Sequence, residues 1–208
     1  RTRREFLAAA GAAAVVGATA YAGAAEAAPA AGPGAPAGAI RIVAVCCSPH
    51  KGGSTSRALA AALEAAAQAA PGAATELIEL GGLSIPGEPA VGLPLPAGVK
   101  DDFPAVAAKL AEPAVRGIII GTPVYFSSMS YLCKAFLDRW MVFRKNFALA
   151  DRVAGVLACG GTLHGGQETT IRSVQDALFC HDMIVVGAGR PTSRFGAIVW
   201  AKEAAAGA

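Results

Sequence analysis

Short apolar runs alternate with longer amphipathic stretches along most of this chain. The apolar runs are rich in Val and Ile and predict buried strands near residues 40–47, 75–80, 116–121, 152–159 and 183–188. Apolar residues at helical spacing predict helices near residues 54–70, 101–112, 127–145 and 167–181, with a short final helix within residues 195–206. We therefore expect an α/β three-layer sandwich with a five-stranded parallel sheet in the order 2-1-3-4-5.

The first predicted strand runs into a loop rich in glycine and hydroxyl groups, residues 48–56 (SPHKGGSTS). The loop opens directly into a helix, and Lys51 supplies its one formal positive charge. Free N–H groups at a helix start bind anions, so the loop predicts a phosphate cradle. It matches neither GxxxxGK[ST] nor GxGxxG, and a helix start without a ligand is the alternative interpretation.

Two further loops follow the third and fourth predicted strands. Thr122-Pro123 is expected to end the third strand, after which PVYFSS (residues 123–128) presents Tyr125 and Phe126 to a flat aromatic ligand. Residues 160–166 contain four glycines, so this backbone is expected to pass close to another group. Because the carboxyl ends of parallel strands meet at one edge of a sheet, the three loops together predict one ligand site.

The three loops also carry a family resemblance. SPHKGGST, GTPVYFSSMSYLCKAFLDR and GGTLHGGQETTI resemble the flavin-contacting loops of the flavodoxin-like NAD(P)H-dependent FMN reductases. That family includes iron–sulfur flavoproteins and quinone reductases of the tryptophan-repressor-binding-protein type. The resemblance covers residues 40–189 and implies a flavodoxin-like fold, bound FMN and NAD(P)H as co-substrate.

The resemblance implies which residues contact each part of FMN. The phosphate would be held by Ser48, Lys51, Gly53, Ser54 and Thr55. The ribityl chain and isoalloxazine would be flanked by Pro123, Val124, Tyr125, Phe126 and Ser127. The pyrimidine side would be lined by Gly160, Gly161, Thr162, Leu163, His164 and Gly165.

Catalysis, metal content and assembly follow from the same resemblance. The candidate catalytic residues are Tyr125, His164 and His181, and His181 would approach the flavin of an adjoining subunit. Nicotinamide and quinone would lie in turn between Tyr125, Phe126 and the Trp140 of a neighbouring subunit. Asp182 departs from the glycine that relatives usually carry beside that histidine. Iron–sulfur members have a cysteine cluster where residues 81–100 contain none, so we predict no iron–sulfur cluster and no other metal. Relatives are dimers or tetramers, which implies a homodimer or homotetramer.

Net charge and cysteine spacing argue against several other classes of function. The formal net charge is only +3, and no Lys/Arg run is interleaved with aromatics, so we expect no nucleic-acid partner. The five cysteines contain no CxxC and are expected to be mainly small buried residues. A Cys-x5-Arg phosphatase loop would need Arg six residues after Cys46 or Cys47, where Gly52 and Gly53 stand.

The first 39 residues differ in composition from the rest. Residues 1–27 resemble a twin-arginine export signal, with Arg3-Arg4 ahead of Phe6-Leu7 and an Ala/Gly-rich apolar stretch. Residues 28–39 predict a disordered Ala/Pro/Gly linker, and residues 40–208 a flavodoxin-like FMN-binding domain. We expect export through the twin-arginine translocase and a periplasmic or extracellular location.

These observations favour an exported oxidoreductase that passes two electrons from NAD(P)H to a quinone or similar small acceptor. NAD(P)H is scarce outside the cytoplasm, so an electron carrier with bound FMN and no nicotinamide site is the alternative. A flavin-free binding module is a third hypothesis, which the colour of the purified protein would decide.

Overall fold

The computed structural model describes residues 40–189 and 194–201, in which helices cover both faces of one largely parallel sheet. The predicted export signal and linker lie outside the described residues. In chain order the elements are β1 (Arg41–Cys46), α1 (Ser54–Ala69), β2 (Ala74–Glu79), a 3-10 turn (Glu88–Val91), α2 (Phe103–Ala111), β3 (Val115–Tyr125), β4 (Ser128–Met129), α3 (Tyr131–Asp138), α4 (Met141–Arg144), β5 (Val153–Gly160), α5 (Gln167–Phe179), β6 (Ile184–Val185) and β7 (Ala197–Trp200).

The sheet confirms the predicted parallel order. Its path is β2-β1-β3-β5-β6, which is the predicted 2-1-3-4-5 once the short β4 is counted in the numbering. The described residues form two strands more than the five predicted. These are β4, which pairs antiparallel with β3, and β7, which pairs parallel with β5. The last predicted strand, near residues 183–188, is reduced to Ile184–Val185.

Alternate side chains of β1 supply two separate apolar cores. Val43, Val45 and Cys47 belong to the core that contains α2, α3 and α5. Ala44 and Cys46 belong to the core under α1. Because successive strand side chains point to opposite faces, this division makes three layers, as predicted. No helix among the described residues has the length and apolar character needed to cross a membrane.

The third strand does not end at Pro123 as predicted but continues to Tyr125. Pairing between β1 and β3 ends at Cys46↔Gly121, whereas β3 still pairs with β5 at Pro123↔Cys159. Pro123 therefore lies beyond the partner strand to which its missing N–H would have donated, so the strand tolerates it.

The predicted helix near residues 127–145 is three elements instead, β4, α3 and α4. Ser128 pairs with Tyr125 in a hairpin, and the Ser130 hydroxyl caps α3, so the helix begins only at Tyr131. The helix then ends at Asp138. The next residue, Arg139, forms a buried ion pair with Asp101.

The tail was predicted as a helix within residues 195–206, and that prediction is wrong for Ala197–Trp200, which form β7. These residues pair with Leu157–Gly160, the half of β5 that β6 leaves free. The open hydrogen-bonding edge of β5 overrides the local sequence preference, as tertiary contacts commonly do.

Arg139 anchors the long segment between β2 and α2. Its guanidinium donates to Asp101 Oδ2 and to Pro86 O, both at 2.8 Å, and lies 4.5 Å from the centre of the Phe103 ring. The hydrogen bonds from Arg139 hold the pKa of the Asp101 carboxyl below its usual range. The segment is therefore fixed near its beginning, at Pro86, and at its end, at Asp101.

Replacing Gly121 with Ala should destabilise the fold. A Cβ at Gly121 would lie 2.6 Å from Leu59 Cδ1 of α1, so the Leu59 side chain or the helix must shift. We expect the free energy of unfolding in urea to fall by about 1–3 kcal/mol. The matched control is Gly155→Ala in β5, where a Cβ meets none of the described atoms within 4 Å. Equal effects of the two substitutions would contradict this packing account.

The Asp101–Arg139 pair should make stability depend on acid pH. Because the folded pKa of Asp101 is lowered, its contribution is present above the ordinary Asp pKa of about 3.9 and is lost as pH falls through the folded value. We expect Asp101→Asn to cost about 2 kcal/mol at neutral pH, and progressively less as the pH falls below the ordinary Asp pKa and through the lowered folded pKa. Asp138→Asn, which breaks the exposed pair with Lys134, is the control and should cost under about 0.5 kcal/mol. A pH-independent cost of Asp101→Asn would contradict the assignment.

Candidate functional site

The three loops meet at one edge of the sheet, as the sequence predicts. A Cβ on Gly166, after the third loop, would lie 2.6 Å from Ser127 Cα in the second. A Cβ on Gly81, after β2, would lie 2.9 Å from Ser48 O in the first. Glycine at these positions therefore permits backbone segments to touch across the site.

The first loop is shaped by hydrogen bonds from its own backbone. The N–H of His50 donates to the buried Ser48 hydroxyl at 3.1 Å. The N–H of Gly52, a left-handed residue with φ +63°, donates to Glu79 Oε1 at 2.9 Å. This bond and the Ser56 hydroxyl hold the pKa of Glu79 below its usual range, so Glu79 stays ionised and the loop stays tied to β2.

The start of α1 offers free backbone donors to an anion. It follows Gly53, and no side chain within the described residues caps it. The exposed Lys51 lies one turn before it. Thr55 is buried, and its hydroxyl lies beside the Cys159 thiol. Ser54 at the helix start is half-buried, whereas Thr55 and Ser56 after it are buried.

The second loop is a two-residue hairpin turn. Tyr125 pairs with Ser128, and Phe126 and Ser127 both have left-handed backbones, with φ of 50° and 60°. Such turns usually hold Asn or Gly, because other side chains are strained at positive φ. Phe126 is nonetheless fully exposed and Tyr125 is 41% exposed. Strain combined with exposed aromatic surface points to a ligand or partner contact.

Ser130 ties this hairpin to the first loop. Its hydroxyl accepts from the Cys133 N–H at 3.0 Å, which caps α3, and donates to Cys47 O at 2.7 Å. Its own N–H donates to Thr122 Oγ1 at 3.1 Å. Ser130 and Thr122 are both fully buried, so these bonds form away from water. The carboxyl ends of β1 and β3 are thereby joined.

The third loop wraps around the side chain of Gln167, the first residue of α5. Gln167 Oε1 accepts from the Gly165 N–H at 2.9 Å, and Nε2 donates to Thr162 O. Leu163 and His164 between them are exposed. A cleft of about 790 Å³ adjoins the loop and is lined in part by Leu163, His164 and Ile198.

His181 and Trp140 do not reach this site within one chain. Asp182, next to His181, accepts from the Asp151 N–H just before β5 begins, so it lies at the amino ends of the strands. The His181 ring is buried against Trp140, with ring centres 5.4 Å apart, and burial lowers its pKa. Trp140 is fully buried within its own chain, which contradicts the expectation that it stacks on nicotinamide or quinone bound at a neighbouring subunit.

The cysteines behave mainly as core residues. Cys46, Cys47, Cys133 and Cys159 are buried, whereas Cys180 is exposed. Burial raises the pKa of Cys46, Cys47 and Cys159, so none of these three thiols is a ready nucleophile. The described residues contain no group of three or more His, Cys, Asp or Glu side chains placed to share a metal ion.

Several residues that shape the site were not among the predicted site residues, namely Glu79, Gly81, Ser130 and Gln167. Ser130 stands directly before an apolar helical pattern, which is a helix-cap signal that could have identified it. Glu79 and Gly81 act through contacts with residues distant in sequence, and Gln167 acts through the two hydrogen bonds of its side chain. Whether the predicted residues contact FMN stays a prediction.

The family assignment rests on a match across most of the chain. The profile of the family described as NADPH-dependent FMN reductase matches residues 40–196. The chain belongs to that family. This confirms the resemblance on the three loops and makes the protein a flavodoxin-like oxidoreductase of an FMN-binding family.

Individual relatives agree with the assignment. An iron–sulfur flavoprotein of Methanocaldococcus jannaschii is 33% identical over 162 residues, or 76% of this chain and 81% of the relative. An iron–sulfur flavoprotein of Methanosarcina thermophila is 42% identical over 103 residues, about half of each chain at 49% and 51%.

Solved structures support the fold. The apo form of an NADH:FMN oxidoreductase matches with a TM-score of 0.53 and 24% identity, over 71% of this chain and 72% of that one. A WrbA-like flavodoxin from Agrobacterium tumefaciens matches with a TM-score of 0.53 and 21% identity, over 78% and 83%.

The residues at the sheet edge suit FMN. The helix start without a side-chain cap and its lysine match a phosphate, and the aromatic hairpin beside a glycine-rich loop matches a flat ring. These features are compatible with a phosphate at the start of α1 and a flat ring beside the hairpin.

Replacing Ser130 with Ala should lower stability more than an exposed serine would. The change removes the cap of α3 and leaves Cys47 O and the Cys133 N–H buried without their partner. We expect the free energy of unfolding in urea to fall by about 2–3 kcal/mol. Ser128→Ala, at an exposed position in the same hairpin, should change it by about 0.5 kcal/mol or less. A Ser130→Ala value in that small range would show that the buried bonds are dispensable.

Proposed function

We propose that the protein is an FMN-dependent oxidoreductase that passes two electrons from NAD(P)H to a quinone or a similar small acceptor. The observation that carries the proposal is that three strand-end loops meet at one edge of the sheet. Ser130 joins the end of β1, where the donor-rich loop begins, to the aromatic hairpin, and Gly166 of the glycine-rich loop lies against Ser127 of that hairpin. Membership of the NADPH-dependent FMN reductase family supports the same cofactor and donor.

The first loop would hold the phosphate. The N–H groups at the start of α1 and the half-buried Ser54 are donors, and Lys51 adds positive charge. Glu79 takes the Gly52 N–H, so that group serves the loop's own shape rather than the ligand.

The hairpin and the third loop would hold the ring. Tyr125 and Phe126 provide aromatic surface on one side, and the Gly166–Ser127 contact keeps the third loop beside them. FMN, when bound, supplies the capacity to accept a hydride and to release two electrons. Backbone N–H groups of residues 160–165 would stabilise negative charge on a bound ring, and an apolar acceptor would meet the exposed Phe126 and Leu163.

Few side chains of this chain are placed to donate or accept a proton at the proposed site. His181 is buried at the opposite end of the sheet, and three buried thiols have raised pKa values. Tyr125 and His164 are exposed at the site and remain the candidates that can touch a substrate. His181 could contribute only to a neighbouring subunit's site.

Metal content, assembly and location complete the proposal. Relatives are named iron–sulfur flavoproteins, but residues 81–100 contain no cysteine, which supports a protein that carries flavin without a cluster. The Arg3-Arg4 signal supports export by the twin-arginine route to the periplasm or beyond. A homodimer or homotetramer is proposed from the family resemblance.

Replacing Lys51 with Met should weaken FMN more than riboflavin, which lacks the phosphate. Loss of one charge-assisted contact predicts a rise of about tenfold in the FMN dissociation constant, measured by fluorescence quenching. Riboflavin affinity should be unchanged. The control is Lys109→Met, which removes a lysine near the end of α2 that pairs with Glu76 of β2. This variant should bind both flavins as the wild type does. An equal loss for both flavins in Lys51→Met would place the phosphate elsewhere.

Electron transfer is tested by anaerobic visible spectra of the flavin-loaded protein. Addition of NADPH or NADH should bleach the flavin spectrum, and a quinone should restore it. A flavin bleached only by dithionite would favour the electron carrier, and protein that takes up no FMN would overturn both functions.

A further inference from the structure

Gln167 is a buried amide whose two ends both bind the third loop. It is the first residue of α5, directly after Gly166, and only 3% of it is exposed. Its Oε1 accepts from the Gly165 N–H and its Nε2 donates to Thr162 O. One side chain thus contacts both the beginning and the end of the four-residue turn 162–165.

The loop is built to admit this amide. A Cβ on Gly160 would lie 2.9 Å from Gln167 Cδ and overlap Nε2. A Cβ on Gly165 would overlap Thr162 Oγ1. Two of the glycines in this segment are therefore explained by packing around Gln167 and Thr162, independently of any ligand.

The same arrangement determines what the loop presents to a ligand. The amide occupies Thr162 O and the Gly165 N–H on the inner side, while Leu163 and His164 are exposed. Buried hydrogen bonds of this kind are costly to lose because the loop groups would be left without partners.

We propose that Gln167 is a positioning residue that holds residues 162–165 in the conformation that receives the flavin ring. The inference rests on the proposed function, because it takes FMN as the ligand. Gln167 itself is buried and acts through the loop backbone rather than on the reacting atoms.

The chain offers a matched control in the same helix. Gln175 is also buried, at 6% exposure, and its Nε2 donates to a backbone oxygen, that of Phe195, at 2.5 Å. Its partner lies just before β7 and not in any of the three loops. Loss of either amide removes a buried side-chain-to-backbone contact, but only one of them concerns the site.

The experiment compares Gln167→Met with Gln175→Met, because methionine has a similar length and volume but cannot replace the hydrogen bonds. For Gln167→Met we expect faster amide hydrogen exchange in residues 160–166 of the flavin-free protein. The dissociation constants of both FMN and riboflavin should rise about tenfold, since the ring rather than the phosphate is affected. The midpoint potential of bound FMN should become more negative, because donors near the ring are less well placed. Gln175→Met should leave hydrogen exchange in residues 160–166 and the midpoint potential unchanged. Its two flavin dissociation constants should stay within about twofold of wild type.

Three results would overturn the inference. Unchanged flavin affinity and potential in Gln167→Met, with wild-type protein that binds FMN, would contradict it and leave the proposed function standing. Equal losses in the two variants would show a general effect of stability. Wild-type protein that binds neither flavin would overturn the proposed function and this inference together.

Discussion

The buried hydroxyl of Ser130 joins the two strand ends on which the candidate site is built. It donates to Cys47 O, where β1 gives way to the first loop, and accepts from the Cys133 N–H at the start of α3. Because Ser130 is fully buried, water cannot replace either bond at low cost. The first loop, proposed to hold the phosphate, and the aromatic hairpin therefore keep a fixed separation. The third loop reaches the same edge through contact between Gly166 and Ser127, so rigid strands position three short loops.

Much of the fold could be predicted from local patterns, because each main strand combines a Val/Ile-rich run with a polar loop. The strand order, the three layers and the meeting of the loops all follow from alternation of strand and helix. The family was also recognisable, since its residues lie in three continuous segments and the profile match covers residues 40–196. Cys46 and Cys47 lie in opposite cores, as their adjacent positions on a strand require.

The errors share a physical origin in contacts between distant residues. Residues 197–200 form a strand because the edge of β5 is open to them, and Pro123 stays in β3 because β1 has already ended there. The helix expected through Trp140 breaks where Arg139 turns to Asp101, which lies 38 residues earlier in the chain. Gln167 could be recognised as part of a motif, but its two hydrogen bonds to the loop appear only in three dimensions.

The most direct test of the central claim is a crystal structure of the protein with FMN. The account predicts the phosphate at the start of α1, with the ring between the Tyr125–Phe126 hairpin and the Gln167-bound loop. A flavin bound elsewhere, such as in the cleft against Ile198 without contact to the first loop, would contradict the view that the three loops form one flavin site.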